Sequence, residues 1–286
     1  MIRCLTFFCL FFWCMTVACQ ETNPSDNNPL FENSIQVKDS SKKTFPHYRI
    51  WSVGLGGQTL RDPLISTLRY NGTSLGTQVT TLKFRPKFLT VSTLSGHFNL
   101  LSSEATGASI WEGGGIYNFT MLKKLPKTST KRTTLFMGGF AEGSYNLRFA
   151  RSNINNLYAY DGVLAIGVSG LVQHTFRIFR RDFMLANHVS IPVFSVLSRP
   201  PFAWSYPYFL GENGKISEAF QVGSWNRYFK FANKLSLDFY TKSNKKHQKV
   251  RTAWRFSYQY EYFSIPKPNF VQSGTDWFTI GRIRKF

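Results

Sequence analysis

The residues whose types and spacing best suit nucleophilic catalysis are His188 and Ser190. Residues two apart in a β-strand project from the same face, so this histidine is placed to accept the serine proton as a general base. No third residue that would orient the imidazole can be identified, and Pro192 interrupts the same strand unless a bulge accommodates it. The pair is a candidate catalytic site, while the sequence as a whole favours a protein that is not an enzyme.

Residues that commonly bind metal ions are too dispersed to predict a metal site. The five histidines stand at positions 47, 97, 174, 188 and 247, and all four cysteines lie within the first nineteen residues. Structural and catalytic metal sites need such ligands at close, defined spacing. We therefore predict neither a metal nor another cofactor.

A second group with chemical potential consists of charged residues on the polar face of predicted strands. Burying an isolated charge is costly, so the acidic and basic members of this group are expected to pair with one another inside the protein. A proton-transfer site or an ion path is the alternative. The group comprises Glu112, Glu142, Arg148, Asp161, Lys230, Lys234, Asp238, Arg255 and Glu261.

The elements that must position these residues are β-strands with one apolar and one polar face. The clearest is 250–263, in which Trp254, Phe256, Tyr258 and Tyr260 alternate with polar residues. A period of two is incompatible with a helix. We predict an all-β fold, a closed antiparallel transmembrane β-barrel of about ten strands, within a range of about 8–12. The strands run near 49–60, 70–84, 88–101, 109–123, 132–149, 157–177, 182–197, 217–241, 250–263 and 275–286.

Composition agrees with a barrel and not with a helical membrane protein. Aromatic residues make up 17% of the chain, yet the mean hydropathy is only −0.20, as expected when only alternate residues meet lipid. After the amino-terminus there is no run of about 20 apolar residues, the length that a membrane-spanning helix needs. The net charge of +20 first suggests nucleic acid, but no nucleic-acid-binding module appears, and we expect no such partner.

Basic residues concentrate in every second connection between the predicted strands. These connections are fairly short, whereas the intervening ones carry less charge and include the longest. The alternation matches a barrel with short periplasmic turns and longer external loops, and it places both termini in the periplasm. The basic turns are either simply solvated or attracted to anionic lipid headgroups. They contain Arg85 and Lys87; Lys123, Lys124, Lys127, Lys131 and Arg132; Arg177, Arg180 and Arg181; and Lys242, Lys245, Lys246, Lys249 and Arg251.

The longest connection, within 199–216, is crowded with aromatic residues. Aromatic side chains in such a loop serve as membrane-belt residues, as a lid over the barrel mouth, or as contacts for a partner protein of the envelope. These three interpretations stay open. The residues concerned are Trp204, Tyr206, Tyr208 and Phe209.

The amino-terminal region indicates export. An apolar stretch after Arg3 predicts a signal peptide over 1–19. A polar segment over 20–47 predicts a disordered periplasmic linker, and the barrel follows over 48–286. Cys19 is a candidate lipid-accepting residue, with ordinary cleavage as the alternative.

The carboxyl end indicates assembly into the outer membrane. The last predicted strand alternates as the others do and ends on an aromatic residue, an ending typical of outer-membrane barrels. We expect it to be recognised by the barrel-assembly machinery during insertion. The residues of this predicted signal are Phe278, Ile280 and Phe286.

Three short motifs fall in the first predicted hairpin. They are Gly54-Leu55-Gly56-Gly57, Leu64 to Ser66, and Leu68-Arg69-Tyr70-Asn71-Gly72. Together they resemble a group of Bacteroidetes-type outer-membrane β-barrels of undetermined function. The resemblance implies an integral outer-membrane location, with outer-membrane lipids and lipopolysaccharide around the protein, and it transfers no catalytic residues.

These features favour a non-catalytic barrel that is a structural or partner-binding component of the bacterial envelope. Two alternatives stay open. A narrow pore for small solutes would use the polar lumen, and a lipid-modifying hydrolase would use His188 and Ser190. That pair resembles the His-x-Ser pair of outer-membrane phospholipases, although the Asn-Gly that follows the serine there is absent here.

Overall fold

The chain folds into strands throughout most of the part that the computed structural model describes. The described residues are 46–126, 129–130, 132–150, 158–179, 181–199, 220–240, 253–267 and 270–285. No helix among them is long and apolar enough to cross a membrane. The strands are β1 (His47–Asp62), β2 (Ser66–Phe84), β3 (Phe88–Ser102), β4 (Ser109–Lys124), β5 (Thr133–Ala150), β6 (Tyr158–Ile178), β7 (Arg181–Ser198), β8 (Phe220–Gly223), β9 (Phe229–Tyr240), β10 (Ala253–Ile265) and β11 (Val271–Lys285).

Antiparallel pairing closes these strands into a barrel. Each strand from β1 to β7 pairs with the next, β9 follows β7, and β11 returns to β1. β8 and β9 both pair with β7, along Ser195–Ser198 and Phe183–Ser190 respectively, so the two share one position in the wall. The barrel therefore has ten wall positions, which confirms the predicted fold class.

The eighth wall position differs from the prediction of a continuous strand over 217–241, and the cause is local. The register of β6 and β7 shifts by one residue next to Pro192, because proline has no N–H to donate to a strand ladder. In the segment between β8 and β9, Trp225 donates its indole N–H to the Pro192 carbonyl. The remaining strands differ from their predicted bounds by at most four residues, as at the starts of β2 and β11.

Side chains alternate between the two surfaces of the wall. In β10, Trp254 and Phe256 are 44% and 49% exposed, whereas Arg255 and Ser257 are 8% and 6% exposed. Large apolar side chains likewise cover the outside of the other strands. An apolar exterior around a polar interior is the pattern of transmembrane barrels.

Buried apolar side chains fill both ends of the lumen. The end that carries His47 and Lys285 is here named the terminal end, and the opposite one the far end. The terminal-end layer comprises Ile50, Leu82, Phe84, Leu89, Leu122, Phe136, Leu171, Ala186, Ala253 and Ile283. The far-end layer comprises Leu60, Leu64, Ile65, Tyr70, Leu101, Ile110, Ala150, Ala159, Val163, Ala165, Leu197, Tyr228, Ile265 and Val271.

Candidate functional site: the charged lumen

A network of five buried charges, the far-end network, lies in the lumen beside the far-end layer. Arg148 binds Glu112 Oε2 at 2.5 Å and Asp62 Oδ2 at 3.1 Å. It also binds Asp161. Arg199 binds Asp62 at 2.5 Å and Asp161 at 3.2 Å. Each of these side chains is at most 2% exposed, so the ion pairs are shielded from solvent.

The far-end network holds one more carboxylate than it has guanidinium groups. The amides of Gln58 and Asn99 each donate to Glu112 Oε1 at 2.7 Å. His97 Nε2 lies 3.9 Å from the same oxygen. The two amide hydrogen bonds offset part of the cost of removing the Glu112 carboxylate from water.

Strand register explains how these residues meet. Glu112 in β4 lies directly opposite Arg148 in β5, and Asn146 lies opposite Asp161 in β6, to which it donates at 2.9 Å. Asp62 stands at the end of β1, three strands away from β4 in the wall. Its contact with Arg148 therefore crosses the lumen and ties distant parts of the wall together.

A second cluster occupies the middle of the lumen. Lys230 in β9 lies between two carboxylates, with Nζ 2.7 Å from Glu142 and 3.4 Å from Glu261. Asn118 donates to Glu142 at 3.2 Å, and Gln259 donates to Glu261 at 2.5 Å. The ammonium group of Lys230 and the two side-chain amides therefore donate hydrogen bonds or a counter-charge to both carboxylates.

A third contact lies nearer the terminal end. Arg255 in β10 is directly opposite Asp238 in β9. It binds the carboxylate through two hydrogen bonds, of 2.6 Å from Nε and 2.7 Å from Nη2. This two-point geometry is the strongest arrangement of a guanidinium and a carboxylate.

Lys234 was predicted to join the ion pairs and does not. It faces the lumen, but its Nζ donates to the amide oxygen of Gln78 at 2.5 Å. Within the described residues no carboxylate lies within 4.0 Å of it, because Asp238 and Glu261 are held by Arg255 and Lys230. The other eight predicted charged residues each form at least one ion pair in the lumen.

The candidate catalytic pair lies on the lumen face of β7. His188 Nε2 is 2.6 Å from Ser169 Oγ, and Ser169 donates its own proton to the Val189 carbonyl at 3.1 Å. Nε2 of His188 is thus engaged with Ser169. Among the described residues no hydrogen bond joins His188 to Ser190, although Ser190 lies directly opposite Ser169.

A small polar cavity lies between the far-end network and the middle cluster. Its volume is about 60 Å³, which is room for a few water molecules. It is narrow in comparison with the ligand pockets of about 300–1,000 Å³ that hold organic substrates. Its lining includes Gln58, His97, Glu112, Lys230, Glu261 and Trp277.

Glycines in the wall admit two large side chains to the lumen. A Cβ added to Gly76 would stand 2.0 Å from the Trp277 ring, and one added to Gly114 would stand 2.7 Å from His97 Cε1. The two rings meet edge to face with centroids 6.0 Å apart. The indole and the imidazole therefore cross space that side chains on those strands would otherwise fill.

The remaining sequence candidates are placed as follows. No three His, Cys, Asp or Glu side chains come together as a metal site within the described ranges. Phe278 and Ile280 project outwards from β11, 64% and 43% exposed. Outside the described residues lie the predicted signal peptide with Cys19, the linker except for its last two residues, the loop aromatics Trp204, Tyr206, Tyr208 and Phe209, and Phe286.

Asp62 and Arg199 were not among the predicted lumenal residues. The first predicted strand stopped at residue 60, and Arg199 was assigned to the long loop. Both continue the inward phase of their strands, Asp62 after Gln58 and Leu60, and Arg199 after Leu197. Extending each strand in phase by two residues would have found them.

Comparison with known proteins assigns the chain to a family and shows which solved structures have a similar fold. The chain belongs to a protein family of unknown function, DUF3316, whose model matches residues 4–273. No curated protein matches the sequence.

Several solved outer-membrane barrels resemble the structure. The outer-membrane protease OmpT from Escherichia coli has a TM-score of 0.48 and 7% identity, over 84% of this chain and 97% of OmpT. The translocator domain of the autotransporter NalP from Neisseria meningitidis has a TM-score of 0.42 and 9% identity, over 90% and 92%. The transport unit of the autotransporter AIDA-I from Escherichia coli has a TM-score of 0.37 and 9% identity, over 86% and 93%. At these values the likeness concerns general architecture and not activity.

Proposed function

We propose that this protein is a non-catalytic barrel of the bacterial outer membrane, of the Bacteroidetes type, with a closed lumen and both termini in the periplasm. In this proposal it serves the envelope as a structural or partner-binding component. The observation that carries the proposal is the filling of the lumen by apolar layers at both ends and by ion pairs between them.

The membrane location is supported by the outward-facing surface. Val53, Leu55, Leu164 and Phe278 are 59–65% exposed, and similar side chains cover the other strands. Soluble proteins rarely expose contiguous apolar patches larger than a few hundred Å². A closed barrel satisfies its backbone hydrogen bonds between strands, which lets such a surface meet lipid.

Partner binding is assigned to the long connection within 199–216. Aromatic side chains are favoured anchors at protein interfaces because each buries a large area at low conformational cost. In this proposal the anchors engage a second protein of the envelope. They are Trp204, Tyr206, Tyr208 and Phe209.

The closed lumen predicts an electrically silent protein. Purified barrel reconstituted in a planar lipid bilayer should give no single-channel steps, because a path along the axis would have to cross both apolar layers. A known porin inserted in the same bilayers is the control. Reproducible conductance that depends on the amount of this protein inserted would overturn the closed-lumen proposal in favour of the narrow pore.

The hydrogen bonding of His188 predicts no lipid hydrolysis. Purified protein incubated with phospholipid or lipid A should release no fatty acid above a heat-denatured control, since Nε2 is engaged with Ser169. The informative variants are Ser190→Ala, His188→Ala and Ser169→Ala. Fatty-acid release that the first two substitutions abolish and the third preserves would instead establish the hydrolase.

A further inference from the structure

Two asparagines lie on the outer surface of the wall where β7 and β9 meet. Asn187 precedes His188 in β7, and Asn233 precedes Lys234 in β9. His188 and Lys234 face the lumen, and successive side chains of a strand point to opposite sides, so both asparagines point outwards. Asn187 lies directly opposite Leu235, two residues after Asn233. The two asparagines are therefore diagonal neighbours, about 7 Å apart.

Both asparagines lie inside the apolar band of the wall. Trp254 also points outwards, at the terminal end, and tryptophan in membrane proteins is enriched at the depth of the lipid headgroups. It is directly opposite Phe239 in β9. Leu235, the residue opposite Asn187, stands four residues away from Phe239 along the strand, or about 13 Å. Since the apolar band of such barrels is about 25 Å tall, hydrocarbon meets the wall at this depth.

The hydrogen-bonding capacity of these two side chains is not met within the described residues. Asn187 Oδ1 and Asn233 Oδ1 are buried, and neither accepts a hydrogen bond from a residue that the structure describes. Hydrocarbon offers no donor, so an unsatisfied amide is costly at this depth. Both side chains are half-buried, and the terminal torsion of asparagine is soft, so a rotation of the amide presents it to the surface. A contact with another molecule would satisfy it.

We propose that two copies of this chain associate side by side in the membrane through this surface. It is named the asparagine face and comprises Asn187, Asn233 and their outward-facing neighbours Leu185, Val189 and Leu235. The inference rests on the proposed membrane location. Its physical basis is that an asparagine amide carries both donors and an acceptor, which makes it complementary to a second copy of itself.

Symmetry places the amides of two copies opposite one another. Copies inserted in the same direction are related by a two-fold axis along the membrane normal, and such an interface uses the same surface of both copies. A residue near that axis meets its own counterpart at the same depth. Two asparagines so placed exchange a pair of N–H···O=C hydrogen bonds, while the leucines and the valine of the asparagine face pack around them. Acyl chains alone would leave the amides unsatisfied.

The first test measures association in a lipid bilayer. The full chain, labelled with donor or acceptor dyes, is reconstituted in liposomes, and energy transfer is followed as the protein-to-lipid ratio changes. Asn187→Leu/Asn233→Leu removes both amides and keeps a similar side-chain volume. The control, Thr77→Val/Thr81→Val, removes two outward-facing hydroxyls from β2, which four strands separate from β7. Circular dichroism verifies that each variant is folded.

The asparagine double variant should weaken the dimer about tenfold or more, and the threonine double variant less than about threefold. Each hydrogen bond between side chains within a membrane contributes about threefold to tenfold to association, and the asparagine variant removes several at once. The threonines lie outside the proposed interface, so their loss removes none of these bonds.

The second test identifies the neighbour in cell membranes. Leu235→p-benzoylphenylalanine places a photo-crosslinking side chain within the asparagine face. Leu75→p-benzoylphenylalanine places the same group on β2, at a position where the native side chain is 47% exposed. Irradiation should join two copies of the chain through position 235 and not through position 75, giving a product of twice the mass on a denaturing gel.

Several outcomes would overturn the inference. These are a monomer at every protein-to-lipid ratio in liposomes, equal weakening by the two double variants, and a crosslink from position 235 to a different protein or to another segment of the same chain. Recovery of the chain in the aqueous fraction would refute the membrane location as well. A monomer embedded in the membrane would refute this inference alone and leave the proposed function standing.

Discussion

Replacing Arg148 by methionine is expected to lower the free energy of unfolding by roughly 3–5 kcal/mol, the usual cost of removing one partner from a buried ion pair. The substitution conserves much of the side-chain volume but leaves Asp62, Glu112 and Asp161 with Arg199 as the remaining guanidinium of the far-end network. Uncompensated carboxylates in a closed lumen have little water to stabilise them. Urea unfolding of the detergent-solubilised barrel, followed by tryptophan fluorescence, measures the loss.

The matched control for Arg148→Met is Arg177→Gln. Arg177 and Asp182 pair at 3.4 Å with side chains 57% and 39% exposed, and exposed pairs contribute only about 0–1 kcal/mol. Adding Glu112→Gln to Arg148→Met should restore part of the loss, because it removes one of the stranded charges. If Arg148→Met costs no more than Arg177→Gln, the lumen is hydrated enough to screen its charges, and the closed-lumen account fails.

The substitution Gly76→Ala is expected to destabilise the barrel by about 1–3 kcal/mol, the range for overpacking a filled interior. Strand propensity alone predicts that Gly76→Ala would stabilise the barrel, since glycine in a strand is normally less favourable than alanine. The tertiary contact decides the outcome: the new methyl group would stand 2.0 Å from the ring of Trp277. The indole would have to leave its place across the lumen, which thermal unfolding of the purified protein detects.

The control for Gly76→Ala is Gly113→Ala. A Cβ at Gly113 meets no atom within 4 Å, so this substitution should be neutral or slightly stabilising. Combining Gly76→Ala with Trp277→Leu should cost less than the sum of the two single changes, because the smaller side chain removes the clash. Strict additivity of the two substitutions would contradict the packing described for this part of the lumen.

The buried charges give the barrel a specific interior at an energetic cost. Apolar residues of similar volume often stabilise a protein as well as a buried ion pair does. The far-end network nevertheless joins β1, β4, β5, β6 and the end of β7 through directed contacts. A shift of one residue in any of these strands would turn its charged side chain towards lipid. The network therefore favours one register of the wall.

Much of the architecture is determined by the sequence itself, because the alternation of side chains within a single strand depends on neighbouring residues only. A strand exposes alternate residues to opposite sides, so the pattern Trp254, Arg255, Phe256, Ser257 fixes both the element and its two faces without reference to any other segment. Ten such patterns define the wall. The inward position of Glu112 and its eight predicted companions follows from the same periodicity.

Only the tertiary structure decided which of these residues meet. Asp62 and Arg148 are 86 positions apart, and Arg199 and Asp62 are 137 apart, so their contacts depend on the diameter and stagger of the closed barrel. The same holds for Lys234, which reaches Gln78 across the lumen, and for Trp277, which lies over Gly76. Periodicity assigns a side chain to a face, but a partner across the lumen is set by how the whole wall closes.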